Sequence, residues 1–141
     1  MTEIRTDLET WCETYITAFE RFDASAIAEH WAFPALTTQA GRSFAFKSAE
    51  HFATNTEKLL GFYKRQGVAS VEREVLSHYV MGENAVAMTV ADKMRDSAGN
   101  VLAGWQAAYV MQRTESVWRA VAAIADGEVA AWAARGTPFG S

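Results

Sequence analysis

The stretch VASVEREVLSHYVMGENAVAMTVADKMRDSAGNVLAGWQAAYVMQRTESVWRAVAAIA, residues 68–125, decides the fold. Within it apolar residues recur at about every second position, which is the period of a β-strand whose two faces differ. Three short, turn-like connections interrupt the stretch, at residues 82–84, 96–100 and 114–116. Because connections this short join neighbouring antiparallel strands, the pattern predicts four long strands linked by consecutive hairpins.

Before Gly67 the apolar residues follow a helical period instead. Six of them, spaced three or four apart, predict the apolar face of a first helix: Ile4, Leu8, Trp11, Tyr15, Phe19 and Phe22. Asp23 has the chemistry of an N-cap and begins a short second helix predicted over residues 24–31. Ser48 caps a third helix that continues to about Gln66, and Gly67 is placed to end it in the left-handed conformation.

Two short segments, residues 35–39 and 43–47, predict a small hairpin between the second and third helices. Residues 128–134 predict one or two further helical turns. Together the elements predict an α+β fold in which three N-terminal helices pack on the concave face of a curled, mostly antiparallel sheet. A chain of 141 residues, half of them hydrophobic, is expected to form one domain over residues 1–141.

Composition and charge argue against several classes of partner. The net charge is -4 and the Lys and Arg residues are scattered, so no nucleic-acid partner is expected. No apolar run approaches the roughly 20 residues that cross a membrane, and the N-terminus lacks the apolar stretch of a signal peptide, so we expect no membrane partner and a cytoplasmic location. The single cysteine, Cys12, permits no disulfide within the chain. It lies on the apolar side of the first helix and is expected to be buried in the protein core.

The faces of the four long strands can be assigned if each hairpin folds about the centre of its turn. Even-numbered residues then share the concave face: Leu76, His78, Val80, Val86, Met88, Val90, Asp92, Leu102, Gln106, Ala108, Val110, Ala120, Ala122 and Ile124. Odd-numbered residues share the outer face: Val71, Arg73, Val75, Tyr79, Thr89, Lys93, Trp105, Tyr109, Met111, Arg119 and Val121. Because large aromatics combined with Arg are typical of interfaces, we expect a homodimer through the outer face of the sheet.

Asp92 is the leading catalytic candidate, since it interrupts an otherwise apolar alternation on the predicted concave face. Burial raises the pKa of a carboxyl group, which can then exchange a proton near neutral pH. The alternative is a structural aspartate near a strand end, hydrogen-bonded or paired with Lys93 or Arg95. Gln106 is expected diagonally opposite Asp92, where its amide could orient a ligand or simply satisfy the carboxyl group.

Tyr15 and His78 are the other catalytic candidates. The hydroxyl of Tyr15 could donate to a ligand oxygen, or reach a backbone group as core tyrosines often do. His78, on the predicted concave face, has the side chain best suited to exchange protons near neutral pH. The remaining ligand-binding candidates are His30 and Trp31 at the mouth, Phe52 and Met88 in the apolar wall, and Asp126 at the open end.

No metal or cofactor is expected from the sequence. The three histidines, His30, His51 and His78, lack the i, i+4 spacing of a helical metal site, and no second cysteine joins them. The chain also contains no Gly-rich phosphate loop, nucleophile elbow or dinucleotide-binding motif. Any chemistry would therefore rest on the side chains alone.

Three stretches carry a resemblance to a known family: residues 15–19 (YITAF), residues 22–28 (FDASAIA), and residues 110–119, where VMQR ends one strand and WR opens the next. These stretches and the order of elements resemble the nuclear transport factor 2-like superfamily, which includes ketosteroid isomerases, limonene epoxide hydrolases and polyketide-cyclase-like proteins. The resemblance implies a cone-shaped cystatin-like fold over nearly the whole chain. Residues 31–36 (WAFPAL) replace the aspartate-rich stretch that commonly follows the second helix in this superfamily. The carboxylate that isomerase-like members keep on the first strand is also absent, and residues 125–128 lack the histidine often found in cyclase-like members.

The resemblance and the inward polar residues together favour a pocket that binds a small apolar or aromatic molecule. If the pocket is catalytic, the expected chemistry is proton transfer without a cofactor, as in isomerisation, cyclisation or hydration, with Asp92 as acid or base. The alternative is a non-catalytic binding or dimeric interaction module whose concave side is filled by its own side chains. A cavity of at least ~300 Å³ would distinguish the two.

Overall fold

A computed structural model describes residues 2–139, except for the side chain of Thr2. The elements are α1 (Thr2–Glu20), α2 (Ala24–Glu29), β1 (Trp31–Gln39), β2 (Arg42–Phe46), α3 (Ala49–Gln66), β3 (Ser70–Gly82), β4 (Ala85–Arg95), β5 (Val101–Thr114), β6 (Val117–Ile124) and α4 (Asp126–Arg135). The strands form one sheet in the order β2-β1-β6-β5-β4-β3. All neighbouring strands are antiparallel except β1 and β6, which are parallel. The predicted α+β fold is confirmed, and a fourth helix, α4, follows the last strand.

The helix boundaries follow from capping. Asp23 Oδ1 accepts a hydrogen bond from the Ala26 N–H at 3.0 Å, and Ser48 Oγ accepts one from the His51 N–H at 3.2 Å. Gly67 ends α3 with a φ of 82°, a conformation that glycine adopts without steric cost. These three predictions are confirmed.

The second helix is shorter than predicted, because Trp31 belongs to β1 instead of the helix. The carbonyl of His30 accepts a hydrogen bond from the Ala120 N–H at 2.9 Å, and Trp31 lies opposite Ala120 in the parallel pairing with β6. The helix therefore ends at Glu29, because the pairing of β1 with β6 begins two residues later.

Two β-bulges change the faces predicted for β3 and β5. Near the β4–β5 turn, Arg95 lies opposite Val101 as expected, but the next pair is Met94 with Ala103, so β5 has one extra residue. In β3 the register shifts in the same way between Val75 and Ser77. Since one extra residue moves every following side chain to the other face, the predicted faces are wrong beyond each bulge.

The corrected faces follow from the observed pairing. On the concave face, six side chains that were predicted to point outward lie opposite the even-numbered residues of β4: Val71, Arg73, Val75, Trp105, Tyr109 and Met111. On the outer face lie five side chains that were predicted to point inward: Gln106, Ala108, Val110, Ala122 and Ile124. The last two belong to β6, where one extra residue between the Met111–Ala120 and Val110–Ala122 pairs reverses them. The even-numbered residues of β4 are buried on the concave face, as predicted.

The core fills the space between the concave face and the helices. Its fully buried side chains include Leu8, Ile27 and Trp132, and Cys12 is buried beside them as expected. None of the helices in the described part of the chain is both long and apolar enough to cross a membrane. Within residues 2–139, no group of three His, Cys, Asp or Glu side chains lies close enough to hold a metal ion.

Candidate functional site

A cavity of about 410 Å³ lies between the concave face of the sheet and the helices. Its wall is mostly aromatic and aliphatic, with contributions from α1, β1, α3, the long strands and α4. The aromatic residues that line it are Tyr15, Phe19, Trp31, Phe46, Phe52, Phe62, Tyr63, Trp105, Tyr109 and Phe139. The cavity exceeds the ~300 Å³ at which small-molecule sites begin, so the concave side is not filled by its own side chains.

A buried ion pair forms one wall of the cavity. Arg73 donates from Nε to Asp92 Oδ1 at 2.7 Å and from Nη2 to Asp92 Oδ2 at 2.8 Å. Both side chains are only 5% exposed. Arg73 Nη2 also donates to the Tyr109 hydroxyl at 2.9 Å, and Tyr109 provides an aromatic face under the guanidinium, with 4.8 Å from Cζ to the ring centre. Such a two-pronged pair fixes the orientation of both side chains.

Arg73 stays ionised because of the groups that contact it. Burial lowers the pKa of the Arg73 guanidinium, but contacts with Tyr109 and Asp92 outweigh it and raise that pKa well above the usual value. Arg73 is therefore a fixed cation in the wall. Its Nη1 is buried and makes no hydrogen bond within the described part of the chain.

Glu128 is the second buried carboxyl group in the wall. Residue Glu128 is 5% exposed and accepts hydrogen bonds from the Tyr63 hydroxyl and, at 3.3 Å, from Trp132 Nε1. Burial raises the pKa of Glu128 to about 7, although the hydrogen bonds from Tyr63 and Trp132 lower it. The carboxyl group can therefore take up or release a proton near neutral pH.

The position of Glu128 depends on how closely α4 approaches β5. A Cβ atom at Gly127 would lie 3.0 Å from the carbonyl oxygen of Gln106 and 3.3 Å from Cβ of Trp105. Only glycine allows this contact without a shift of the helix. Trp132, one helical turn after Glu128, is completely buried and packs on Phe62 with ring centres 5.2 Å apart.

Three tyrosines line the cavity as protonated donors. Burial raises the pKa of the Tyr15 and Tyr63 hydroxyls well above 10, and burial also raises the pKa of Tyr109, so all three are neutral at physiological pH. The Tyr15 hydroxyl accepts a hydrogen bond from Trp31 Nε1 at 2.9 Å, which leaves its own proton to donate. The cavity thus contains two carboxyl groups, a cation and phenol groups within an apolar wall.

Four of the nine site residues predicted from the sequence line this cavity: Tyr15, Trp31, Phe52 and Asp92. Asp92 is buried on the concave face as predicted, but its partner is Arg73, not Lys93 or Arg95. Met88 is buried in the core without lining the cavity. His78 lies opposite Met88 on β3, half-buried and outside the cavity wall.

The other three predicted site residues lie elsewhere. Gln106 is exposed on the outer face because of the β5 bulge, opposite Ala91 and away from Asp92. His30 closes the end of α2: its Nε2 lies 2.8 Å from Thr14 Oγ1, and its Nδ1 lies 2.7 Å from the Ala26 carbonyl oxygen. Asp126 is exposed and accepts a hydrogen bond from the Ala40 N–H at 3.1 Å.

Sequence reasoning missed the roles of Arg73, Tyr109 and Glu128. The first two were assigned to the wrong face by the bulges. Glu128 stands four residues before Trp132, and that spacing places the carboxyl group on the side of α4 that also carries a large apolar residue. This is the signal that could have identified it.

Comparisons with solved structures agree with the architecture. A domain of unknown function with a cystatin-like fold from Nostoc punctiforme superposes with a TM-score of 0.72 at 14% identity, over 90% of this chain and 78% of the other. An NTF-2 like protein of unknown function from Shewanella oneidensis gives 0.69 at 7% identity, over 85% and 96%. A ketosteroid isomerase-like protein from Erwinia carotovora gives 0.62 at 18% identity, over 84% and 92%. At these identities the likeness establishes the fold alone.

Sequence comparison identifies the family more directly. No curated protein matches the chain at a significant level. A family model described as "NTF2-like protein (DUF6841)" matches residues 5–128, which include every strand and both buried carboxyl groups. The chain therefore belongs to the NTF2-like protein family DUF6841, within the superfamily that its sequence resembles.

Proposed function

We propose that the cavity binds a small apolar or aromatic molecule and that Glu128 exchanges a proton with it, without a cofactor. One observation carries the proposal: a buried carboxyl group with a pKa of about 7 stands in the wall of a mostly apolar cavity of about 410 Å³. A general acid or base works best when its pKa is close to the working pH. Perturbed carboxyl groups in clefts are typical of catalytic sites.

The two buried carboxyl groups take different roles in this proposal. Both oxygens of Asp92 accept hydrogen bonds from Arg73, so we assign Asp92 to holding the guanidinium, in place of the acid or base role expected from the sequence. Glu128 receives its hydrogen bonds from neutral donors, Tyr63 and Trp132. Two carboxyl groups in unlike environments are a common basis for separate catalytic roles.

The remaining polar groups favour a substrate with an oxygen acceptor. Arg73 and the Tyr15 and Tyr109 hydroxyls are donors in the wall, and a carbonyl or hydroxyl oxygen of the ligand could accept from them. The reaction class would be isomerisation, cyclisation or hydration. The name of the Erwinia carotovora relative, ketosteroid isomerase-like, is compatible with that class.

A non-catalytic binding protein is the second candidate. The mostly aromatic and aliphatic wall favours it as much as it favours an enzyme, because binding requires only the cavity. Proton exchange on a bound molecule distinguishes the two.

Ligand binding should depend on the free volume of the cavity. Ala107 lines it from β5, so Ala107→Leu would fill part of the space and weaken binding at least tenfold while leaving the fold stable. The measurement is quenching of tryptophan fluorescence by 2-tetralone and coumarin, since Trp31 and Trp105 line the cavity. A ligand at 100 times its Kd should also raise the free energy of unfolding by about 2.7 kcal/mol.

Ala133→Leu, an exposed change of the same size on α4, is the matched control and should leave binding unaltered. If neither probe quenches the wild-type protein, or if Ala107→Leu binds as tightly as wild type, the proposed ligand site is wrong.

We also propose that the chain forms a homodimer through the outer face of the sheet, where Tyr79 and Thr89 were expected and the other contact residues were not. Two rows of small and apolar side chains cross five strands there. One row is Tyr79, Ala87, Val110, Ala122 and Leu36, and the other is Ser77, Thr89, Ala108, Ile124 and Thr38. Tyr79 is 72% exposed and Ile124 54%, which is unusual for large apolar residues that face only water.

A charge in the middle of this face should separate the dimer. We expect light scattering to give a dimer for the wild-type protein at micromolar concentration and a monomer for Val110→Lys, because an unpaired lysine would be desolvated in the interface. Val101→Lys, a change at a comparably exposed valine at the end of β5, should remain a dimer. A monomeric wild-type protein would refute the proposal.

A further inference from the structure

The rim of the cavity differs in charge from the rest of the chain. Five charged residues line the cavity within the described part of the chain: Lys58, Arg65, Arg73, Asp92 and Glu128. The last three are largely buried, whereas Lys58 and Arg65 are exposed and both are basic. Since the whole chain carries a net charge of -4, a rim with only basic charges is a local reversal of sign. Such a reversal attracts anions to an opening.

Lys58 stands between polar and apolar parts of the cavity wall. Asn55, Lys58, Leu59 and Phe62 all line the cavity and follow the i, i+3, i+4, i+7 spacing of one face of α3. Asn55 and Lys58 are exposed, while Leu59 is half-buried and Phe62 is buried. On this face of α3 the exposed residues are therefore polar, and the residues that reach into the cavity wall are apolar.

Charges deeper in the cavity set the orientation of a bound anion. Among the described residues of the inner wall, Asp92 is paired with Arg73, whereas Glu128 has no cation beside it and accepts from neutral donors. An anionic group placed deep in the cavity would approach the Arg73–Asp92 pair, whose charges offset each other, and the Glu128 carboxyl group, whereas at the rim it would meet Lys58. The apolar end of an amphipathic anion should thus point inward and its charged end outward.

We infer that the ligand is an amphipathic organic acid, with an aromatic or apolar body in the cavity and its carboxylate at Lys58. The inference rests on the proposed ligand-binding function and specifies its substrate class. Lys58 is exposed at the rim, whereas Tyr63 is buried in the cavity wall and contacts the Glu128 carboxyl group. The apolar body of a ligand held at Lys58 would therefore extend inward toward Tyr63 and Glu128.

The test compares two probes of nearly equal shape that differ in charge, 1-naphthylacetate and 1-naphthylacetamide, by tryptophan quenching at pH 7.5. We expect the wild-type protein to bind the acetate at least threefold more tightly than the amide, and Lys58→Glu to lose or reverse that preference. Lys93→Gln, which removes an exposed lysine on the opposite face of the sheet, should keep it. Raising the salt concentration should weaken binding of the acetate alone, because salt screens exposed charges.

The outcomes separate this inference from the function on which it rests. If both probes bind the wild-type protein equally, the acid-binding inference is overturned while the cavity remains a ligand site. If the preference for acetate persists in Lys58→Glu, the assignment to Lys58 is overturned. If neither probe binds, both this inference and the proposed function fail.

Discussion

Replacing Arg73 with methionine is expected to lower the free energy of unfolding by about 3–5 kcal/mol, because the change leaves Asp92 buried and unpaired. Both partners are 5% exposed and joined at 2.7 Å, so bulk water compensates little for the missing charge. Methionine keeps most of the volume, which limits the contribution of a cavity. Urea unfolding followed by circular dichroism measures the change.

Two controls separate the cost of the unpaired buried charge from the cost of losing an arginine side chain. Arg95 pairs with Glu72 at 3.2 Å across the same two strands, but that pair is 32% and 63% exposed, so Arg95→Met should cost less than about 1 kcal/mol. The double variant Arg73→Met with Asp92→Leu should recover most of the lost stability, since an apolar pair often replaces a buried ion pair at little cost. A loss below about 1 kcal/mol for Arg73→Met, or a double variant less stable than the single one, would contradict the account.

Glu128→Gln is expected to reduce proton exchange on a bound ketone by roughly 10² to 10⁴. The substrate probe is 2-tetralone, whose protons next to the carbonyl exchange with deuterium from the solvent. Glutamine keeps the shape of the side chain and can still contact Tyr63 and Trp132, but it cannot take up a proton. Nuclear magnetic resonance in deuterium oxide follows the exchange rate above the spontaneous background.

Binding of 2-tetralone should change little in Glu128→Gln, so the effect would fall on the exchange step and not on affinity. Glu57→Gln, an exposed change on α3 outside the cavity wall, is the matched control and should leave the rate unaltered. A variant Glu128→Gln that exchanges protons as fast as the wild-type protein would remove Glu128 from the mechanism.

The architecture could be read from the sequence because its signals are local. Asp23, Ser48 and Gly67 each act on the backbone within a few residues, and so they mark helix ends correctly. The change of period after Gly67 likewise depends only on neighbours in the chain. The parallel pairing of β1 with β6 is long-range, and the end of the second helix was misplaced because that pairing begins at Trp31.

The site could be predicted only in part, because side-chain direction depends on register. The hairpin between β4 and β5 begins in the predicted register, and one extra residue near Arg95 then reverses every side chain of β5. That single shift moves Gln106 out of the cavity and brings Tyr109 in. A second bulge does the same for Arg73 and gives Asp92 its partner.

The burial of Glu128 could not be predicted for a different reason. Its burial comes from the packing of α4 on β5 and α3, through Gly127 and Trp132, and no pattern within the strands indicates it. The raised pKa follows from that tertiary environment, since the same carboxyl group in water has a pKa near 4.5.

The pH dependence of deuterium exchange into bound 2-tetralone tests the central claim most directly. If Glu128 is the base, only its ionised form can accept the proton, so the exchange rate per bound ligand should rise with pH and level off above a midpoint near 7. The Glu128→Gln protein should show no such midpoint. A midpoint near 4 to 5 in the wild-type protein, or a midpoint near 7 that persists in Glu128→Gln, would contradict the assignment of proton transfer to Glu128.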